Sequence, residues 1–261
     1  MTVNGLPQHI RYNADTVEHL FLPLLRRLTQ MQRCAGRRVI AFLAAPPATG
    51  KSSLLQFLER LAREHADLTR MQALGMDGFH YPNAVLETHT TMRGGKEISL
   101  KSVKGAPESF HVAHLAAKLA AAKVGAVQFP VYDRRIHDVV ADALTVDAPI
   151  LFVEGNWLLL DEEPWRGLRP LADYAVRIDA PAAFLRDRLI ARKVQGDSPR
   201  RRRPPSARRA MPATSNALPH MQVRRTRSGA WKRTATSCGY KFPYENSHCV
   251  YQAQWEFCRP L

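Results

Sequence analysis

The chain has 261 residues, 45% of them hydrophobic, and a formal net charge of +15. That length suits one large α/β domain or two small ones, and no run approaches the ~18 apolar residues that a membrane span requires. Four cysteines without a C-x-x-C pair give no disulfide scaffold and no zinc site, and the opening MTVNGLPQHIRYNAD lacks the apolar core of an export signal, so a cytoplasmic protein with no membrane partner is expected.

In chain order, Asn13 to Gln32 carries apolar residues at helical spacing with an arginine-rich outer face, and reads as an amphipathic helix. RRVIAFLAA, Arg37 to Ala45, is a short apolar run closed by proline and glycine, a buried strand and its exit turn. Lys51 to Ala66 follows as a helix and Thr69 to Met76 as a second strand. The polar stretch Asp77 to Gly105 reads as a long connection with a short helix. Phe110 to Ala122 is helical, and Gly125 to Arg134 is strand then loop. Ala148 to Leu160 contains the most apolar strand. DYAVRIDA is a further strand and Ala182 to Lys193 a further helix. Strands alternating with helices imply a parallel sheet covered on both faces.

The pattern breaks at Asp197. SPRRRRPPSARRAMPATS has no period, and residues 198–261 hold 13 Lys or Arg against 2 acidic residues, a net of +11. Residues 1–197 therefore carry only +4, with 25 basic and 21 acidic residues. Two regions are expected: a domain over 1–197, and a basic, Pro/Arg-rich, disordered tail over 198–261. No aromatic residue interleaves with the arginine cluster to form a stacking surface. A specific nucleic-acid partner is not expected. A non-specific nucleic-acid binder acting through the tail is one rival reading, and it would lose salt-sensitive binding on truncation at Asp197.

LAAPPATGKSSL, Leu43 to Leu54, ends in the Gly-Lys-Ser of a phosphate-binding loop, placed after an apolar strand and before a helix. Such a loop works mostly through its backbone. Successive N–H groups curl around phosphates at the positive end of the following helix. Ala48, Thr49, Gly50, Lys51 and Ser52 offer consecutive donors, with Ser53 next. The lysine supplies a mobile charge, and the Ser52 hydroxyl suits Mg2+. Ala45 stands where the motif has its first glycine. An alanine there costs about 1–2 kcal/mol if the position is left-handed, and little if φ is negative.

Phosphoryl transfer also needs an acceptor-aligning carboxylate. Asp77 in GMDGFHYPN lies at a strand exit, where the active groups of parallel sheets collect. Glu154 in ILFVEGNWLL ends the strongest strand, in the pattern of a magnesium-side carboxylate. His80, Lys104, Tyr132 and Arg134 are candidates for touching an acceptor. Lys104 suits a substrate anion or solvent equally. Arg188 and Arg192, four apart on one helical face, suit a lid that closes on the transferring phosphoryl group. They also suit a solvated helix face.

PPATGKSS, MDGFHYPNAVL, KGAPESFHV, PVYDRRIHD, ILFVEGNWLLLDEEPW and RDRLIARKVQG cover about residues 35–196. On these motifs the chain resembles the P-loop small-molecule kinases of the uridine kinase, phosphoribulokinase and bacterial pantothenate kinase type. It is most similar to the bacterial nucleoside/nucleotide kinase family that includes fructose-transport-system kinases. The resemblance implies a P-loop, Rossmann-like fold with a five-stranded parallel sheet, and ATP and Mg2+ as cofactors. It implies a small-molecule substrate with a hydroxyl to phosphorylate, with nucleoside, pantothenate and sugar or sugar-phosphate acceptors all compatible, and it allows a homodimer. Asp77 would be the base or aligning carboxylate, Lys51 and Ser52 would hold phosphate and metal, Glu154 would lie near magnesium, and Arg188 and Arg192 would be lid arginines. An ATP-hydrolysing regulator using the same loop, or an impaired kinase remnant, are the rival readings. Relatives continue after the lid with G-L-S-P-E-E-A, where this chain has GDSPRRRRPPSARR. A set of GC-rich codons can be chosen for this stretch that, read one base earlier, gives G-L-S-P-A-E-A. A frame shift and a native basic tail both stay open, and the gene's DNA sequence separates them.

Overall fold

The computed structural model describes residues 2–3, 6–7, 10–181, 185–186 and 188–190. These fall into two units, one made of residues up to Ala45 with Gly50–Val176, the other of Pro46–Thr49 with residues from Arg177 onward. The tail 198–261 and Arg192 lie outside the described residues.

In the first unit the chain opens with a helical run. Asn13 caps it, its Oδ1 accepting from Thr16 N at 2.7 Å, a side-chain acceptor for an orphan helix N–H. One π-helical turn, Val17–Phe21, leads into α1, Leu22–Ala35, which ends on left-handed Gly36 (φ +62°). β1 is Val39–Ala44 and α2 is Lys51–Glu64. β2, Met71–Gly75, runs into a 3-10 turn over Met76–Phe79. β7, Ile150–Gly155, and β8, Tyr174–Arg177, complete the sheet, whose order is β8-β1-β7-β2. The described residues thus supply four strands of this sheet, where five were expected.

β7 pairs in parallel with both neighbours, Leu43 and Gly75 each standing opposite Glu154, and Ala44 opposite Gly155. β1 and β7 are buried along their whole length, which is why VIAFLA and ILFVEG read as unbroken apolar runs. This register brings Ala45, Asp77 and Glu154 to one end of the sheet, the carboxyl ends of its strands.

Between β2 and β7 the chain departs from a simple strand–helix alternation. The connection Asp77 to Gly105 contains α3, Asn83–Thr88, and a hairpin of β3, Thr90–Arg93, with β4, Lys96–Ser99. Gly94 and Gly95 turn it with φ of +56° and +74°, the doubly left-handed turn that two-residue hairpins favour. After α4, Val112–Val124, the predicted strand appears as β5, Val127–Asp133. It pairs antiparallel with β6, Asp138–Val146, in a separate two-stranded sheet. One core joins these parts: Phe42 and Val153 from the sheet, Phe79 after β2, Leu115 and Leu119 from α4, Phe129 from β5, and Trp165. Among the described residues no helix is long and apolar enough to cross a membrane.

In the second unit, Arg177 pairs with Asp179 at 2.7 Å. Residues 185–186 and 188–190 are helical, with Leu185 N donating to Pro181 O at 3.1 Å.

Candidate active site

α2 begins on Gly50, which is left-handed (φ +90°) and offers no side-chain cap. α2 therefore starts on a residue that has no side chain, with the positive end of its dipole at Lys51 to Ser53. Ala45 is not in the left-handed region: the described non-glycine residues with positive φ are Ala48 (+65°), His137 (+54°) and Asp142 (+47°). The backbone cost foreseen at Ala45 falls on Ala48 instead. Within the same loop Thr49 Oγ1 donates to Pro46 O at 2.9 Å.

Lys51 is buried. Its Nζ donates to Ala45 O at 2.9 Å and to Asn156 Oδ1 at 2.6 Å. Ser52 Oγ donates to Glu154 Oε1 at 2.5 Å. Burial pushes the Glu154 carboxyl above the usual glutamate range, and Asp77 adds to the rise, against the opposing pull of Lys51, the Ser52 hydrogen bond and Arg134. A hydroxyl, a desolvated carboxylate and the nearby Asp77 form a set of hard oxygen donors, the kind that suits Mg2+. Asn156 carries no motif of its own, and sequence reasoning missed it. The one signal was its place directly after Val-Glu-Gly.

Asp77 sits on the 3-10 turn after β2 and meets Arg134 at 3.7 Å. The glycine after it is dictated by packing. A Cβ at Gly78 would lie 2.2 Å from Pro130 O on β5. Likewise a Cβ at Gly155 would lie 2.3 Å from Met76 Sδ. The glycines of D-G-F-H and V-E-G thus let the turn, β5 and β7 close on one another. They hold Asp77 and Glu154 at neighbouring strand ends.

His80 is buried, and its Nδ1 stands 2.8 Å from Asp77 O. A carbonyl only accepts, so the proton sits on Nδ1 and Nε2 is left as the acceptor. Burial lowers the His80 pKa, opposed by its contact with Asp77, so the ring is neutral at pH 7. It lies against Phe110, ring centroids 3.9 Å apart, and near Tyr132 at 5.5 Å. Lys104 Nζ donates to Asn83 Oδ1 at 2.8 Å and to His137 O at 2.9 Å, and sits 4.8 Å from the centre of the Tyr132 ring. Burial lowers the Lys104 pKa and raises that of Tyr132. Asp133 turns away from this chemistry. Its carboxylate is taken by Arg135 at 2.7 Å, whose hydrogen bonds hold its pKa down to about 2.

A cleft of about 460 Å³ runs between α2, the end of β2 and β5, within the range of small-molecule sites. Ser52, Asp77, Tyr132, Arg134 and Glu154 line it, while Lys104 and His80 are not among its lining residues. Of the expected site residues, the first unit therefore brings together Lys51, Ser52, Asp77 and Glu154, with Tyr132 and Arg134 beside them. Arg188 lies on the helical segment of the second unit.

No family model matches the chain. The uncharacterised protein YggC of Escherichia coli (strain K12) is 45% identical over 197 residues, 75% of this chain and 79% of YggC. A pantothenate kinase of Rhodopseudomonas palustris (strain BisA53) is 32% identical over 210 residues, 70% of this chain. The match spans 63% of that kinase's length. Among solved structures, a protein of Silicibacter sp. TM1040 named for fructose transport system kinases superposes with a TM-score of 0.53 at 27% identity, covering 64% of this chain and 82% of that one. YFH7 of Saccharomyces cerevisiae, named for P-loop kinases with a circular permutation, reaches a TM-score of 0.56 at 16% identity, over 69% of this chain and 87% of its own, a likeness of fold alone. A parallel sheet whose strand ends gather Lys51, Ser52, Asp77 and Glu154, and relatives that are kinases, lead to one assignment: the chain belongs to the P-loop kinase family.

Proposed function

We propose that the protein transfers the γ-phosphoryl group of ATP to a hydroxyl of a small molecule held in the cleft. The observation that carries this reading is that Ser52, Glu154 and Asp77 line one cleft, with Ser52 hydrogen-bonded to Glu154 and the buried Lys51 directly before Ser52 in the chain. The segment Ala45 to Ser53, including Ala48, Thr49 and Gly50, supplies the phosphate-binding loop. Ser52 and Glu154 are the residues that would hold Mg2+, which when bound neutralises phosphate charge. Lys51 exchanges its present acceptors, Ala45 O and Asn156 Oδ1, for phosphate oxygens. Asp77 leaves Arg134 to accept the proton of the acceptor hydroxyl. The hydroxyl oxygen forms a bond to the γ-phosphorus as the β–γ bridging bond breaks, and ADP leaves. Arg134, released from Asp77, contacts the acceptor, and Lys51 with the lid arginines offsets charge on the equatorial oxygens. Arg188 and Arg192 complete the reading as lid residues, and Tyr132 with His80 and Lys104 as the surroundings of the acceptor. The relatives named as pantothenate kinases, and the solved structure named for fructose transport system kinases, make pantothenate and sugars the first acceptors to try.

The test is ADP release by the full chain with MgATP and a panel of hydroxyl acceptors. Turnover should depend on an acceptor and fall about 10²-fold or more in both Lys51→Ala and Asp77→Asn. ATP hydrolysis that ignores every acceptor and survives Asp77→Asn would replace this reading with an ATP-hydrolysing regulator.

A further inference from the structure

The turn between β5 and β6 has no glycine, and His137 in it takes the left-handed conformation (φ +54°). Glycine or asparagine is the usual occupant of such a position, and a histidine there is strained unless its surroundings fix it. Two side chains from elsewhere in the sequence do so. The His137 carbonyl accepts from Asn83 Nδ2 at 3.0 Å and from Lys104 Nζ at 2.9 Å. Lys104 Nζ also donates to Asn83 Oδ1 at 2.8 Å, and Asn83 N donates to Asp138 Oδ1 at 3.0 Å. The Lys104 ammonium lies 4.8 Å from the centre of the Tyr132 ring as well, so it braces both ends of the segment 132–137. Lys104 is itself anchored through the next residue. Gly105 N donates to Ser109 Oγ at 2.9 Å, and Gly105 O accepts from Trp157 Nε1 at 2.9 Å, just past the end of β7. The tie therefore runs from the strand end that carries Glu154 to the turn.

The turn carries two arginines with different fates. Arg135 closes on Asp133 at 2.7 Å and is exposed. Arg134 lines the cleft and meets Asp77 at 3.7 Å. Asn83, Lys104 and His137 are not among the residues that line the cleft. We infer that Lys104 and Asn83 are positioning residues: they hold the strained turn at His137 and thereby set Arg134 beside Asp77, where it meets the phosphate acceptor. The inference rests on the kinase reading of the same cleft. Lys104 serves the acceptor without touching it, because its donors are spent on Asn83 and His137. The Asn of GMDGFHYPN and the Lys of KGAPESF, far apart in the sequence, act on one carbonyl.

Hydrogen exchange of the full chain, read on peptides spanning residues 133–139, tests the hold. Lys104→Met and Asn83→Ala should each speed exchange there about tenfold or more, with peptides of β1 and β7 unchanged as the report that the variants fold. Lys104→Arg keeps the charge and the donors and should keep part of the protection. Turnover tests what the hold is for, with MgATP and with pantothenate, fructose and uridine as acceptors. Lys104→Met and Asn83→Ala should each raise the acceptor KM about tenfold or more and leave the MgATP KM within about twofold of the parent. Neither should cost anything further in an Arg134→Gln background, because both act through Arg134. Exchange equal to the parent's, an unchanged acceptor KM, or a loss that multiplies undiminished with Arg134→Gln would overturn the inference and leave the kinase standing. The last of these would make Lys104 an acceptor contact. A parent that releases no ADP in response to any acceptor, while the variants still free the turn, would sink the kinase and with it the positioning role, leaving Lys104 and Asn83 as a contact of the fold.

Discussion

The two ends of the parallel sheet are built on opposite rules. At the amino end of β1, the Arg38 guanidinium donates to four backbone carbonyls: Ala148 at 2.7 Å, Asp147 at 3.0 Å, and those of Ala122 and Gly125. Arg37 next to it grips Asp173 with both guanidinium nitrogens, at 2.8 and 3.2 Å, while Ile40 N donates to the same carboxylate at 3.0 Å. Arg70 closes on Asp147 at 2.9 Å. Arg37 and Arg70 are matched by carboxylates, and loop carbonyls from α4 to β7 are tied to the Arg38 side chain. At the carboxyl end burial holds Glu154 above its usual range and His80 below its own, and the partly exposed Asp77 meets Arg134 at a loose 3.7 Å. Buried titratable groups such as Glu154 and His80, and a loose pair such as Asp77 with Arg134, are costly for stability alone and are common where groups must change partners. One end is arranged for holding the fold, the other for changing partners.

The largest effect that could break this contrast is at Arg38. Arg38→Ala leaves four carbonyls without their donor, and hydrogen bonds to charged groups contribute about 1.5–3 kcal/mol each, without simple additivity. A loss of about 3 kcal/mol is expected, read as a lower urea midpoint, with acceptor-dependent turnover per folded molecule unchanged. A variant that melts like the parent would show that the amino end is not the holding end.

Much of the holding end was legible in the sequence, because VIAFLA and ILFVEG are runs that only a doubly covered strand tolerates. At the working end, the loop lysine and serine, Asp77 and Glu154 were legible through spacing and placement. What sets their positions was not. Gly78 is required because Pro130 O lies where its Cβ would be, a contact made across more than fifty residues of chain. β5 was read as a strand, but its partner β6 was missed. DVVADALTV interrupts its apolar residues with Asp138 and Asp142, and half-exposed strands of this kind carry a weak period. The turn joining them contains no glycine, and His137 takes the left-handed position. Asn156 was missed because an amide that positions a lysine leaves no periodic trace. The hairpin at Gly94 and Gly95 was also missed, because its short strands are polar and charged and carry no apolar period.

A smaller effect sharpens the contrast through pH. The Glu154 carboxyl is raised in the folded protein above its ordinary value of 4.5, chiefly by burial. The folded state therefore holds this proton more tightly than the unfolded state does. Stability from this group is full below about pH 4.5 and is lost as pH rises through the folded-state value. Glu154→Gln keeps an acceptor for Ser52 Oγ and removes the ionisation. It should raise the melting temperature at neutral pH, and the difference from the parent should shrink as pH falls toward 4.5. The same variant should lose acceptor-dependent turnover. Equal melting of the two proteins at every pH would mean that Glu154 is not the strained carboxyl of the working end.

The smallest effect separates two alanines three residues apart. Ala48 is left-handed at φ +65°, and Ala45 is not left-handed. A left-handed alanine carries about 1–2 kcal/mol of backbone cost. Glycine removes that cost and returns part of it as extra freedom of the unfolded chain. Ala48→Gly should therefore stabilise by about 0.5–1 kcal/mol. At Ala45 there is no left-handed cost to remove, so only the unfolded-state term remains. Ala45→Gly, although it restores the glycine that phosphate-binding loops carry at that position, should destabilise by about 0.5 kcal/mol. Paired urea midpoints read both changes. Opposite signs would place the stored strain of the loop at Ala48, beside Thr49, within the segment proposed to meet phosphate, as strain held for use rather than for stability would be. The same sign at both positions would mean that the loop's backbone is relaxed at Ala48, and the contrast between the two ends would then rest on desolvation alone.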